Sequence, residues 1–167
     1  MIQDLVQIRL LGEKKRPENE RFRRYLKAHD HSERRFRRIA EEIEEEIDCT
    51  VCANCCRVAT VRVSDRDIER LARHFGVTRT EFITEYVTLS DEEGRILRRN
   101  EGGCVYLEGN ACTVYEARPD TCSRFPHLVR GNGSIASRMW QFIDRACYCP
   151  IVYNALEAFK AETKFTR

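Results

Sequence analysis

Four cysteines within eight residues, Cys49-Thr50-Val51-Cys52-Ala53-Asn54-Cys55-Cys56, constrain this chain more than any other feature. A two-residue spacing lets one turn aim two sulfurs at a single ion, which is why C-x2-C recurs in zinc and iron–sulfur sites. A single buried cysteine is an ordinary small hydrophobe. Four in a C-x2-C-x2-C-C run read as a chelating loop. That loop needs help, because zinc takes four ligands and a cubane cluster takes four thiolates. Further thiols follow at Cys104, Cys112 and Cys122, and again in Cys147-Tyr148-Cys149-Pro150. Nine cysteines suffice for two four-thiolate sites with one left over, or for one site beside several structural or redox thiols. Spacing alone leaves that partition open.

Disulfides are the competing use of so many cysteines. The count is odd, and a chain of 167 residues can bury a core without staples. No apolar run reaches the roughly 18–20 residues that span a bilayer. The start, Met1-Ile2-Gln3-Asp4, lacks the basic region of a secretory signal. The expectation is therefore a cytoplasmic protein outside the membrane, whose thiols stay reduced and serve metal or redox chemistry. Charge argues against nucleic acid as a partner. The basic stretches Arg21–Arg24 and Arg34–Arg38 are followed by Glu41, Glu42, Glu44, Glu45 and Glu46, and the whole chain carries a formal +2. Those stretches read as solvated helix faces rather than an electrostatic footprint. Neither a Gly-rich phosphate loop, an HExxH pair nor a nucleophile elbow is present. Of the histidines only His127 lies near a cysteine segment, and it is the one imidazole candidate for ligation.

Periodicity predicts a mainly α protein with a small β-hairpin, an α+β chain whose compact metal-stapled domain follows N-terminal helices. Residues 1–48 form a charged helical extension without cysteine, and residues 49–167 the cysteine-cluster domain with a C-terminal helix. Asp30-His31-Ser32-Glu33 resembles a capping box opening a helix over about 31–47, with a shorter helix through Phe22 and Leu26 before it. Ala59–Val63 is β-prone. Ser64–Asp67 and Thr78–Glu81 are further helix starts, the first helix closing at Gly76. Residues 94–115 read as extended, with a turn at Glu108-Gly109-Asn110 that places Cys104 and Cys112 on the two hairpin arms. Pro119 suits the first turn of a helix carrying Cys122, and a last helix runs over about 150–164.

The C-x2-C-x2-C-C loop followed by Arg57, the Asp67-Ile68 helix start and Gly103-Cys104 form one part of a larger pattern. Cys112-x-Val114-Tyr115-x2-Arg118-Pro119-x2-Cys122 with Phe125-Pro126 forms the other. Together they resemble the YkgJ-type cysteine-cluster family of zinc- or iron-chelating domains, over about residues 49–150. The resemblance implies metal ligands at Cys49, Cys52, Cys55, Cys56, Cys104, Cys112 and Cys122, with Cys149 as the late Cys-Pro and Cys147 as the spare. Arg57, Arg118 and Arg124 stand near these positions and would balance a centre of net charge about −2. Ser123 intervenes before Arg124, where members often place the arginine directly after the cysteine. Three functions stand as expectations. The first is a protein holding iron or an iron–sulfur (4Fe-4S) cluster. The second is a structural zinc domain that binds another protein. The third, suggested by the similar cysteine domain of flagellin lysine N-methylases, is a metal-dependent enzyme acting on protein side chains.

Overall fold

The computed structural model describes residues 1–165. Among them are nine α-helices and three two-stranded antiparallel sheets, so the protein is mainly α with a little β. The backbone packs into two compact units. One comprises Met1–Asp48 and the described residues from Pro126 onward, and the other is Cys49–Phe125.

The first unit contains α1 (Leu5–Ala28), α2 (Glu33–Glu46), α8 (Ile135–Arg145) and α9 (Pro150–Glu162). Helix α1 is far longer than the pattern around Phe22 and Leu26 predicts. It runs through Pro17, and Ile8, Gly12, Asn19, Phe22 and Leu26 are buried along it. Tertiary burial of this stripe outweighs the missing Pro17 N–H, as packing commonly overrides propensity. The cap of α2 is Ser32, whose side chain accepts from the Arg35 amide, and not Asp30. Ser32 stands immediately before the first helical residue, where an N-cap oxygen reaches the N3 amide. Phe36 of α2 packs on Phe142 of α8 and Phe159 of α9, with ring centroids 6.0 and 5.1 Å apart. Helix α8 was not foreseen, although Ile135, Met139, Phe142 and Ile143 recur at helical spacing behind the cap Ser134. No helix among the described residues is long and apolar enough to cross a membrane.

The second unit opens with two short helices, α3 (Cys49–Cys52) and α4 (Asn54–Val58). It continues through α5 (Asp65–Phe75) and α6 (Arg79–Tyr86). Both later helices begin with the expected capping boxes, Ser64 with Asp67 and Thr78 with Glu81. Gly76 closes α5 at φ 66°, a left-handed conformation that glycine adopts without strain. The β-prone run 59–63 pairs only through an isolated bridge from Arg62 to Ile96. Strands β1 (Val87–Ser90) and β2 (Gly94–Leu97) form one hairpin, β3 (Arg99–Asn100) and β4 (Gly103–Cys104) a second, and β5 (Leu107–Glu108) and β6 (Ala111–Cys112) a third. The predicted turn lies at Gly109-Asn110, with Leu107 opposite Cys112. Cys104 is not on an arm of that hairpin; it pairs with Arg99 across the preceding one. The stretch 98–112 is thus two successive tight hairpins, so one-residue patterning cannot tell which arms pair. Helix α7 (Asp120–Ser123) follows Pro119 and carries Cys122.

Candidate metal centre

One core holds most of the second unit together. Val61, Val63, Ile68, Leu71, Phe82, Val87, Leu97, Tyr106 and Val114 are buried in it along with Cys104, and Cys56, Cys112 and Cys122 pack against it. Four thiols from α4, β4, β6 and α7 therefore reach the same core although up to 66 residues separate them in sequence. They also act on one another electrostatically. Burial pushes the Cys122 thiol up to about 12, and neighbouring Cys104, Cys56 and Cys112 push it the same way while Arg118 opposes. Cys104 and Cys112 are raised, again first by burial and then by the charge of Cys56. Each of these two also accepts a backbone amide from two residues onward, Tyr106 for Cys104 and Val114 for Cys112. An N–H aimed at sulfur favours the thiolate form.

Cys56 moves the opposite way. A hydrogen bond from the Cys55 thiol lowers it to about 7 against the effect of burial, and the guanidinium groups of Arg57, Arg118 and Arg99 add to the fall. Arg57 and Arg118 answer the expectation of cations beside the cysteines, whereas Arg124 instead pairs with Asp120 at 3.8 Å. Arg99 went unforeseen. Its guanidinium donates to the carbonyls of Ala59 and Arg57, the latter at 2.5 Å, and nothing in its sequence position announces this.

Arginine and asparagine fix the loop that carries the first four cysteines. Ala53 adopts φ 47°, a left-handed turn rare for a residue with a Cβ, and this separates α3 from α4. Arg57 donates to the carbonyls of Cys52 and Gly109, each at 2.9 Å, and to the Asn110 side chain. Asn110 in turn donates to the Val51 carbonyl at 2.7 Å. The β5–β6 turn is thereby tied to both sides of Cys52. Gly103 explains how β4 lies so close to α4. A Cβ there would stand 2.5 Å from the Cys56 carbonyl oxygen and 2.7 Å from Arg57 Cα.

The remaining cysteines are placed less centrally. Cys49 is exposed and Cys52 half-buried on the same loop. Cys147 and Cys149 are buried in the first unit. The Cys147 thiol donates to the Ile143 carbonyl at 3.6 Å, and burial raises it to about 11. Cys149 caps the start of α9. His127 also belongs to the first unit, where its carbonyl accepts from Arg138 at 2.5 Å.

The donor chemistry fits a thiophilic ion: four thiols in one core, backbone amides on two sulfurs, and three guanidinium groups acting on Cys56. As they stand, however, no three His, Cys, Asp or Glu side chains among the described residues are grouped so as to hold a metal ion. The thiols share a core without converging on one point. No curated protein and no solved structure matches the chain. Residues 48–150, more than half of the sequence, match the family model CxxCxxCC, described as a "putative zinc- or iron-chelating domain". A cysteine-cluster domain of that kind is what the thiol-lined core represents, and the chain belongs to the CxxCxxCC family.

Proposed function

We propose that this protein holds iron, as an iron–sulfur cluster or as the ion, on the thiolates of Cys49–Phe125, with Cys56, Cys104, Cys112 and Cys122 as the central four. The observation that carries this reading is the gathering of those four thiols from four separate elements into one core. Closing them around an ion calls for side-chain rotation at the cysteines themselves. A cysteine has one side-chain torsion, and a change of staggered rotamer carries its sulfur about 3 Å. Metal binding commonly completes such arrangements rather than finding them ready. Tyr106 and Val114 amides would stabilise the sulfurs, and Arg57, Arg99 and Arg118 would offset the negative charge of a four-thiolate centre.

A structural zinc site is the second reading, because four thiolates satisfy tetrahedral zinc equally well. Cys49, Cys52 and Cys55 on the same loop do not separate the two, because a cubane cluster also takes four thiolates; the metal content decides. The test is quantification of iron, zinc and acid-labile sulfide, with an absorption spectrum, on protein purified without oxygen. Iron with matching sulfide and broad visible absorption supports a cluster, and iron without sulfide supports the ion. Colourless protein containing zinc sinks the iron reading. Single Ser replacements of Cys56 and Cys122 should each sharply weaken metal binding without removing it entirely. A Cys149→Ser variant that retains its metal removes that residue from the ligand set.

A further inference from the structure

Asp67 is a carboxylate 2 % exposed, and the metal reading gives it no role. Both its oxygens are in use. Oδ2 accepts from the Ser64 amide at 2.9 Å and the Ser64 hydroxyl at 2.6 Å, closing the N-terminus of α5. Oδ1 points the other way, accepting from the Asp120 amide at 3.0 Å and from Arg70 Nη2 at 2.6 Å. Asp120 is the first residue of the four-residue helix that carries Cys122. Arg70 Nη2 also reaches the Arg118 carbonyl at 2.9 Å and Asp120 Oδ1 at 3.3 Å, while its Nε reaches the Ala117 carbonyl at 3.4 Å. The segment entering α7 is therefore held at Ala117, Arg118 and Asp120 by one buried carboxylate and its partly exposed arginine partner. A cap needs only the Ser64 side of this arrangement. Every remaining contact is spent on the approach to Cys122.

We propose that Asp67, acting with Arg70, is a positioning residue for Cys122. It anchors the start of α7 to α5 so that the Cys122 thiol is presented to the core shared with Cys56, Cys104 and Cys112. The inference rests on the metal reading for its purpose, but its geometry does not depend on which metal is bound. A four-residue helix has no packing face of its own to fix its orientation, since most helix stability in proteins comes from tertiary contacts. Hydrogen bonds to a charged acceptor are the stronger kind and hold direction as well as distance.

The experiment measures thiol alkylation in reduced, metal-free protein by a short iodoacetamide pulse, with Cys104 and Cys122 read separately by peptide mass spectrometry. Asp67→Asn and Arg70→Gln are compared with Ser64→Ala, which disturbs the α5 cap but leaves the Asp120 contact in place. The expected result is that Cys122 reacts about tenfold faster in Asp67→Asn and Arg70→Gln, with Cys104 unchanged. That factor is the lower end expected for losing a hydrogen bond to a charged group. In Ser64→Ala neither thiol should accelerate. Equal acceleration of Cys104 and Cys122 would show general loosening and overturn the proposal, as would an unchanged Cys122 rate in both variants. Should Asp67→Asn fail to fold, Arg70→Gln carries the comparison alone, because its side chain is partly exposed.

A second measurement uses zinc as the probe. Asp67→Asn should weaken zinc binding about tenfold in the native background and leave it unchanged where Cys122 is already Ser. A loss of equal size in both backgrounds would overturn the role assigned to Cys122. Wild-type protein that takes up neither zinc nor iron would sink the metal reading, and the alkylation result would still decide the positioning of Cys122.

Discussion

Gly103 shows how tightly a single residue is specified here. Its φ is 124°, which L side chains rarely adopt, and a Cβ would press into the α4 backbone at Cys56 and Arg57. Gly103→Ala combines overpacking with backbone strain, and we expect a loss on the order of 3 kcal/mol, read from the urea midpoint. A variant within 0.5 kcal/mol of wild type, about the noise of a surface change, would mean that β4 and α4 can part freely. Asp67 gives a pH signature. Burial pushes its carboxyl up, but the Ser64 and Asp120 hydrogen bonds and the Arg70 charge outweigh that and leave it below the usual aspartate value. A carboxylate lowered by folding stabilises the protein above its unfolded value of about 3.9, and that contribution is lost as pH falls through the lower folded value. The difference in melting temperature between wild type and Asp67→Asn should therefore be largest near pH 6 and shrink toward pH 3. A constant difference would show that the charge of Asp67 contributes nothing. At this scale the sequence marks the C-x2-C-x2-C-C run and the family it belongs to, but not which of its thiols reach the core, where Cys56 packs. Arg99, Asn110 and the second role of Asp67 were not legible, because their partners lie 40 to 59 residues away and no local pattern encodes them.

Helices α3 and α4 are four and five residues long, too short to persist by themselves. Their shape is set from outside, by Arg57 and Asn110 joining the cysteine loop to the β5–β6 turn. Arg57→Lys keeps the charge and gives up the fork that reaches two carbonyls at once. We expect amide hydrogen exchange over Cys52–Cys56 to quicken about tenfold, matching the loss of one hydrogen bond from a charged donor, while exchange in α5 stays unchanged. Equal protection in both proteins would remove Arg57 as the clamp. Sequence reading did well where a helix start is a local device. The boxes at Ser64–Asp67 and Thr78–Glu81 stand as expected because four adjacent residues complete them. It did less well at Asp30, where three polar residues in succession offer competing caps and only the backbone at Ser32 decides. Helix α8 was within reach, but its spacing went unread between two cysteine segments.

Two cores of different chemistry divide the molecule. The first unit rests on apolar side chains, with Phe22, Phe36, Phe142 and Phe159 fully buried. The second places Cys104 inside its core and three more thiols against it. Charge and cysteine content change between residues 48 and 49 of the sequence. That α8 and α9 pack with α1 and α2 could not be read there, because an amphipathic pattern shows that a helix has a buried face but not whose face covers it. This division predicts how the protein answers metal removal. A ligand bound only by the folded form adds roughly 4 kcal/mol of stability at a thousandfold excess over Kd, and that stability belongs to the elements whose side chains hold it. Stripping the metal from purified protein with a strong chelator should therefore strip protection from amides such as Leu97, Val105 and Thr113, whose hydrogen bonds frame the thiol core. Amides of α1 and α9 should exchange at their former rates. Restoring metal should restore protection in the same amides, which excludes damage by the chelator. If instead both sets lost protection together, the two cores would be one cooperative unit. If neither changed, the thiols of Cys49–Phe125 would hold no metal that matters to the fold.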